Sequence, residues 1–307
     1  MSIAPAQIEM GLQKMLDEIY HATHVCSKHS LDTIAEYSPN HLDWSRKYPR
    51  TPTEAMRFGS AFHTFMLEPD EFTSRHSIAV QCSAILKSGA NAGKHCSNDA
   101  NYTNAGAGYC GQHKPVGSTA LTNAISRDDF NAIEAMSAAI HAQPSARLVM
   151  QKNDSEDDEE VAIFTERDVN GYPLVCKGKI DIWRPRSLNA MADIKTTTNA
   201  SPAEFARDIE NMAYHRQAAF YFDLCEAIGK PVETFILIAI EKSPPYGCAC
   251  YTLAPNSPSV EVGRDENRRL METYARCEQS GYWPSYAETF EEIALPPAAI
   301  RRALQRD

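Results

Sequence analysis

The chain has 307 residues, of which 43% are hydrophobic and 23% charged, which excludes disorder, collagen and coiled coil as whole-chain readings and fits one large domain, or a domain with an insertion. With 30 Lys and Arg against 40 Asp and Glu, the net charge of -10 disfavours passive nucleic-acid binding through a basic surface. The longest apolar run, Phe235 to Ile240, is far too short to span a membrane, and Met1-Ser-Ile-Ala-Pro5 lacks the basic and apolar regions of a signal peptide. A soluble, cytoplasmic protein is therefore expected. Its nine cysteines, an odd count without a secretory signal, argue against a disulfide framework.

In chain order, residues 5–48 read as helical, with a cap at Ser30 or Ser38 and a stop at Tyr48-Pro49. Thr53 to Leu67 predicts a second helix: Met56, Ala61, Phe62, Phe65 and Met66 recur near the helical period, and Pro69 ends it. Residues 80–118 are rich in Gly, Asn and Ala and show little periodicity. Helix returns from Asp128 to about Met150, punctuated by Pro144. The run Asp154 to Glu160, six acids in seven residues, reads mostly as a solvated loop.

The period then changes to two. Glu160 to Glu166 and Tyr172 to Trp183 flank Asn170-Gly171, a hairpin-turn dipeptide, and Ala190 to Lys195 is a further strand. Ser201-Pro-Ala-Glu204 has the form of a capping box with proline at the first helical position; the helix it opens should run, kinked near Asn211, to Gly229. Val232 to Glu241 and Cys248 to Leu253 are strands, and Pro258 to Ser280 is a helix. No internal repeat is visible. Helices, a β-meander, a crossover helix and more strands predict an α/β fold with a mixed central sheet flanked by helices.

Asp181 and Asp193-Ile-Lys195 carry the chemistry. On a strand Asp193 and Lys195 share a face, and Asp181 comes from the neighbouring strand. Two converging carboxylates suit Mg²⁺, which takes a few hard oxygen ligands plus water. A lysine two residues on would orient or deprotonate an attacking water, or neutralise phosphate charge. On the helix that follows, Gln217 and Tyr221 lie one turn apart on one face. Glu160 offers a third carboxylate from the paired strand, with Glu159 pointing the other way.

With Gly59-Ser-Ala-Phe-His63, Glu160-Val-Ala-Ile-Phe164, Lys179-Ile-Asp181, Asp193-Ile-Lys-Thr-Thr197 and Tyr214-His-Arg-Gln-Ala-Ala-Phe-Tyr221, the chain resembles the PD-(D/E)xK nucleases, and among them the exodeoxyribonuclease VIII (RecE-type) recombination exonucleases. Pro244-Pro-Tyr246 and Gly281-Tyr-Trp-Pro-Ser-Tyr286 also look like that family, and the resemblance runs over roughly residues 20–290. Ile180 departs from the proline of the namesake motif. The resemblance implies metal binding by Asp181 and Asp193, with the Ile194 carbonyl as a further ligand and Glu160 and His63 beside them. It makes Lys195 the catalytic lysine, with Gln217 and Tyr221 positioning it or the phosphate. The catalytic ion is then Mg²⁺ or Mn²⁺.

Cys82, Cys96, Cys110 and His113 supply the four ligands of a closed structural Zn²⁺ site, with Cys110-Gly-Gln-His113 as a short chelating knuckle. Residues 80–116 then form a zinc-binding insertion within a single nuclease domain spanning 1–307. Lys87, Lys94, His95 and Lys114 give the insertion a mildly basic face. The remaining cysteines read as small buried hydrophobes.

The resemblance implies an exonuclease that digests duplex DNA from an end in the 5′-to-3′ direction. The 3′ single strand left behind would serve a single-strand annealing recombination protein. It also implies a homo-oligomeric ring of three or four chains that threads DNA, and no membrane partner. A structure-specific or restriction-type endonuclease, and a non-catalytic DNA- or protein-binding module, are the alternatives. The cations Arg264, Arg268, Arg269, Arg276, Arg301, Arg302 and Arg306 either line such a channel or pair with neighbouring acids such as Asp265, Glu266 and Glu272.

Overall fold

The computed structural model of the protein describes residues 8–121, 124–287 and 289–305; Arg306 lies outside them. The region expected to be helical from residue 5 to 48 breaks into strand β1 (Gly11–Gln13), helix α1 (Asp17–Ala22), strand β2 (Cys26–Ser27) and helices α2 (Lys28–Glu36) and α3 (Pro39–Lys47). Ser27 rather than Ser30 caps α2, with Ser30 completing a capping box, while Ser38 caps α3. Both strands pair with residues far along the chain, a long-range constraint that overrides local helical periodicity.

Helices α4 (Glu54–Leu67) and α5 (Pro69–Arg75) follow. Thr53 accepts the Met56 N–H to start α4, and Pro69 sits in the first turn of α5. Among the described residues, the Gly- and Asn-rich segment and its flanks hold short strands: β3 (Ser77–Ile78), β4 (Tyr102–Asn104), β5 (Ala107–Tyr109), β6 (Thr119–Ala120) and β7 (Ala124–Ile125). Helices α6 (Arg127–Ala142) and α7 (Pro144–Met150) part at Pro144. Next come β8 (Asp158–Val169), β9 (Tyr172–Arg184), β10 (Ala190–Thr197), α8 (Pro202–Asn211) and α9 (Tyr214–Ala227). The chain closes with β11 (Thr234–Glu241), β12 (Cys248–Leu253), α10 (Pro258–Ser280) and α11 (Pro297–Leu304), the last of which the sequence pattern does not signal.

Seven strands form one mixed sheet in the order β1-β8-β9-β10-β11-β12, with β2 added in parallel to β9. The β8–β9 hairpin turns at Asn170 and Gly171, whose φ angles of 54° and 82° are the left-handed values such a turn requires. Beyond it β10 pairs antiparallel with β9 and parallel with β11, the register that the crossover through α8 and α9 permits.

Strand alternation builds two cores. Met191, Phe235, Leu237 and Ala239 face the layer of α2, α9 and α10, while Ala192, Ile194, Ile238 and Ile240 face α4, α6 and α7. Helix α10 crosses α9 so closely at Gly263 that an added Cβ would lie 2.6 Å from the His215 carbonyl oxygen. The expected capping box at Ser201 does not form: the Ser201 hydroxyl caps nothing, and Glu204 pairs with Arg207 instead. The kink near Asn211 is a full break, with Ala213 left-handed at φ 53° before α9 restarts. Among the described residues no helix is long and apolar enough to cross a membrane.

Candidate active site and a cysteine–histidine cluster

The sheet splits where its acidic residues gather. The β9–β10 ladder pairs Ala190, Met191 and Ala192 and stops one residue short of Asp193. The β8–β9 ladder pairs Glu159 with Ile182 and Val161 with Ile180, passing over Glu160 and Asp181. Ile180 packs into the α9 core and Ile182 into the α4 core, so the backbone turns over between them, which a regular strand does not allow. Glu160 itself has a φ of 51°, a strained value for a residue with a side chain. The distortion swings both carboxylates into the opening between the strands.

His63 enters that opening from α4, its Nδ1 3.4 Å from Asp181 Oδ2. One ligand atom from each of His63, Glu160 and Asp181 lies within 4.8 Å of the others, a spacing one divalent ion can span. Asp181 Oδ2 also accepts the Ile194 N–H at 3.3 Å, and the His63 ring bonds the Ile194 backbone. Asp193, 2% exposed, stands beside them; its Oδ1 accepts from Gln217 Nε2, and its Oδ2 faces the Lys195 ammonium at 2.5 Å. The Lys195 ammonium also rests over the Tyr214 ring, 4.8 Å from its centroid.

The protonation behaviour fits a cation site. Burial and the neighbouring Asp181 charge push the Glu160 carboxyl up to about 7. Burial and Asp193 hold the Asp181 carboxyl well above the usual carboxylate range. Burial holds His63 below the ordinary imidazole value, so it is a neutral donor of the kind metals take. Burial opposes the Lys195 charge, but Asp193 and Asp181 more than offset it and keep the ammonium protonated. Buried carboxylates that repel one another are satisfied by a bound cation, so this donor set fits a divalent metal.

Of the six expected catalytic side chains, His63, Asp181, Asp193, Lys195 and Gln217 meet around the opening and Tyr221 does not. Gln217 holds Asp193 rather than Lys195. The Tyr221 hydroxyl donates to the Lys179 carbonyl at 2.9 Å, so it braces the strand below the site instead of meeting Lys195 or the opening. Glu159 points away, to Arg184 and Lys152. Two residues that open matching motifs take roles the sequence did not assign. Tyr214 reaches Lys195 because α9 restarts there. Lys179 bridges Glu160 and Asp17, and Arg75 binds the other oxygen of Asp17 at 2.8 Å. Lys179 sits two residues before Asp181 on β9, at the start of the Lys179-Ile-Asp181 motif.

The second cluster is equally close-set. Cys82, Cys96, Cys110 and His113 present ligand atoms all within 4.8 Å of one another, with His113 Nδ1 3.3 Å from Cys110 Sγ and 3.8 Å from Cys82 Sγ. Backbone N–H groups point at the sulfurs: Cys110 N bonds Cys82 Sγ at 3.3 Å, and Gln112 and His113 bond Cys110. Burial opposes ionisation of Cys110, yet these bonds bring its thiol down to about 6. Among the described residues the apolar cluster around it is Ala84, Leu86, Tyr109 and the cysteines themselves, too little to fold the segment alone. The set can hold a metal ion through three sulfurs and one nitrogen.

Arg264, Arg268 and Arg269 on α10 pair with Asp223, Glu261, Asp265 and Glu272, and Arg276 bonds Thr273. The reading in which these arginines pair with neighbouring acids therefore holds for the first three.

Comparison with known proteins bears on the fold. A family profile described as "PDDEXK-like domain of unknown function (DUF3799)" matches residues 38–296. No curated protein sequence matches the chain. Among solved structures, the chain is similar to a "Putative exonuclease" from Eubacterium rectale, with a TM-score of 0.58 and 11% identity over 96% of this chain and 100% of that one. A structure of SSO0001 overlaps 48% of this chain and 63% of its own at 18% identity, with a TM-score of 0.30. The first shares its fold with this chain: a PDDEXK-like mixed sheet flanked by helices.

Proposed function

The chain belongs to the PDDEXK-like domain family, and from that premise we propose that it is a metal-dependent deoxyribonuclease. The observation that carries the reading is the convergence of His63, Glu160 and Asp181 in the sheet opening, with the Asp193–Lys195 pair beside them. His63, Glu160, Asp181, Asp193 and the Ile194 carbonyl would hold Mg²⁺ or Mn²⁺. The ion would supply Lewis-acid charge stabilisation at the phosphoryl oxygens and lower the pKa of a water.

The chain's own groups do the rest. The Lys195 ammonium, held by Asp193 and the Tyr214 ring, opposes charge that develops on the phosphorane oxygens. Gln217 fixes the rotamer of Asp193, and Lys179 holds the strained Glu160 on the side of Asp17. Partial burial of these groups strengthens each interaction relative to bulk water.

In its finer form, the protein is an exonuclease of the exodeoxyribonuclease VIII type acting in the cytoplasm. It digests linear duplex DNA 5′-to-3′ and leaves 3′ single strands for an annealing protein in recombination. Three or four chains in a ring would let an acidic protein hold DNA inside a channel. Cys82, Cys96, Cys110 and His113 would bind a structural Zn²⁺ that folds residues 80–116. What supports this is the motif order together with the Cys₃His geometry. The test is digestion of linear against closed circular duplex with Mg²⁺. Rapid loss of linear DNA with circles intact is expected; equal cutting of both overturns the exonuclease reading.

A further inference from the structure

The segment between α5 and α6 carries a charge unlike the rest of the chain. Residues 76–126 contain one carboxylate, Asp99, against Lys87, Lys94 and Lys114, with Arg75 and Arg127 on the flanking helix ends, in a protein whose net charge is -10. Two of those cations are neutralised: Arg127 binds Asp99, and Arg75 binds Asp17 and Glu68. Lys87, Lys94 and Lys114 are exposed, and among the described residues none forms an ion pair. Lys94 reaches only the Asn91 side chain at 3.5 Å, and Lys114 lies 4.0 Å from the centroid of the Tyr102 ring. Arg264, Arg268 and Arg269 on α10, by contrast, are matched by acids on their own helix and on α9.

This cationic module is fixed beside the candidate active site. Its stem is the parallel pair β3–β7. The residue before the stem, His76, has Nε2 3.4 Å from Thr64 Oγ1, next along α4 from His63. One residue earlier, Arg75 shares Asp17 with Lys179, the partner of Glu160. At the other end Arg127, the first residue of α6, bonds Asp99 and the Ser97 carbonyl at 3.1 Å. Between these anchors the Cys₃His cluster ties together the loops that bear the lysines.

We infer that the cysteine-knotted module is a second DNA-contact site, whose lysines bind the sugar-phosphate backbone of duplex DNA next to the bond being cut; this rests on the nuclease reading above. Phosphate is the matching chemistry. Unpaired exposed lysines release condensed counterions from DNA, whereas the acid-rich remainder repels it. Backbone contacts position a duplex without reading its sequence, which suits an enzyme that must advance through any sequence.

The test is a triple variant, Lys87→Gln with Lys94→Gln and Lys114→Gln, in the full-length protein. All three side chains are exposed, so folding is not at stake, and unchanged metal content verifies it. Binding of a fluorescent linear duplex, without added Mg²⁺, is followed by anisotropy from 50 to 200 mM salt. At roughly 0.9 per phosphate contact, the slope of log K against log salt should flatten by about 2 to 3, with affinity at the low-salt end down about tenfold or more. Hydrolysis of bis(p-nitrophenyl) phosphate with Mg²⁺ should be unchanged, because the carboxylate site is untouched. The same affinity and slope in variant and wild type would overturn the inference. A wild-type protein inert on every DNA and on the small diester would instead sink the nuclease reading itself.

Discussion

Asp181 Oδ2 accepts the backbone N–H of Ile194 at 3.3 Å, across the gap where β9 and β10 stop pairing. The carboxylate replaces the ladder bond that the splitting strands give up, so one oxygen anchors the distorted sheet and faces His63. Asparagine at 181 can keep that acceptor but not the charge; alanine keeps neither. Both Asp181→Asn and Asp181→Ala should abolish metal-dependent activity. In urea unfolding the alanine variant should be the less stable by about 1 kcal/mol, the net worth of a hydrogen bond. Equal stabilities would mean that the bond contributes nothing to the split.

Tyr221 and Gln217 should separate in the same way. Tyr221→Phe removes one bond to the Lys179 carbonyl, so stability should fall by about 1 kcal/mol while activity stays within a few-fold. Gln217→Ala leaves Asp193 held by Lys195 alone, and kcat should fall by about tenfold or more, in line with losing the orientation of a catalytic group. A Tyr221→Phe enzyme as impaired as Gln217→Ala would return the tyrosine hydroxyl to the reaction.

Much of this was legible in the sequence because it is local. Asn170-Gly171 announces the hairpin, the Asp193–Lys195 spacing places both on one face, and Gln217 and Tyr221 share a helical stripe. What stayed hidden depends on partners distant in the chain. Residues 11–13 pair with β8, so a run with helical character becomes a strand. The Asp17–Lys179–Glu160 chain draws on three separate elements, and no spacing encodes it. The capping box at Ser201 is absent in both halves: the Ser201 hydroxyl caps nothing, and its N–H goes to Asn199 Oδ1 while Glu204 pairs with Arg207. Tyr214 joins the site only because Ala213 adopts a left-handed backbone that resets the helix.

The raised Glu160 carboxyl makes metal binding and stability depend on pH. Its folded value of about 7 lies above the ordinary 4.5, so between them the folded state binds more protons than the unfolded chain. The metal-free protein should therefore lose stability as pH rises from about 4.5 to about 7. A divalent ion reverses the trend by favouring the ionised form, so the rise in Tm on adding Mn²⁺ should grow between pH 5.5 and 7.5. Thermal melts with and without Mn²⁺ across that range measure it. A metal-induced shift that shrinks as pH rises would exclude Glu160 as a ligand.

The Cys₃His cluster should carry about one zinc per chain in protein purified without chelators. Cys110→Ser should release it and loosen residues 80–116 to proteolysis, since little apolar packing holds them otherwise. EDTA should stop catalysis at once, with zinc leaving more slowly. Elemental analysis showing no zinc would refute a structural metal here.

The central claim is that the split-sheet carboxylates and Lys195 hydrolyse DNA with a divalent metal. The most direct measurement compares wild type with pure, folded Asp193→Asn and Lys195→Met proteins on linear duplex DNA, with Mg²⁺ and with EDTA. Wild type should degrade the duplex only with Mg²⁺, and both variants should be slower by about 100-fold or more, the scale on which preorganised electrostatic groups act. Substantial Mg²⁺-dependent digestion by the Asp193→Asn protein would contradict the account.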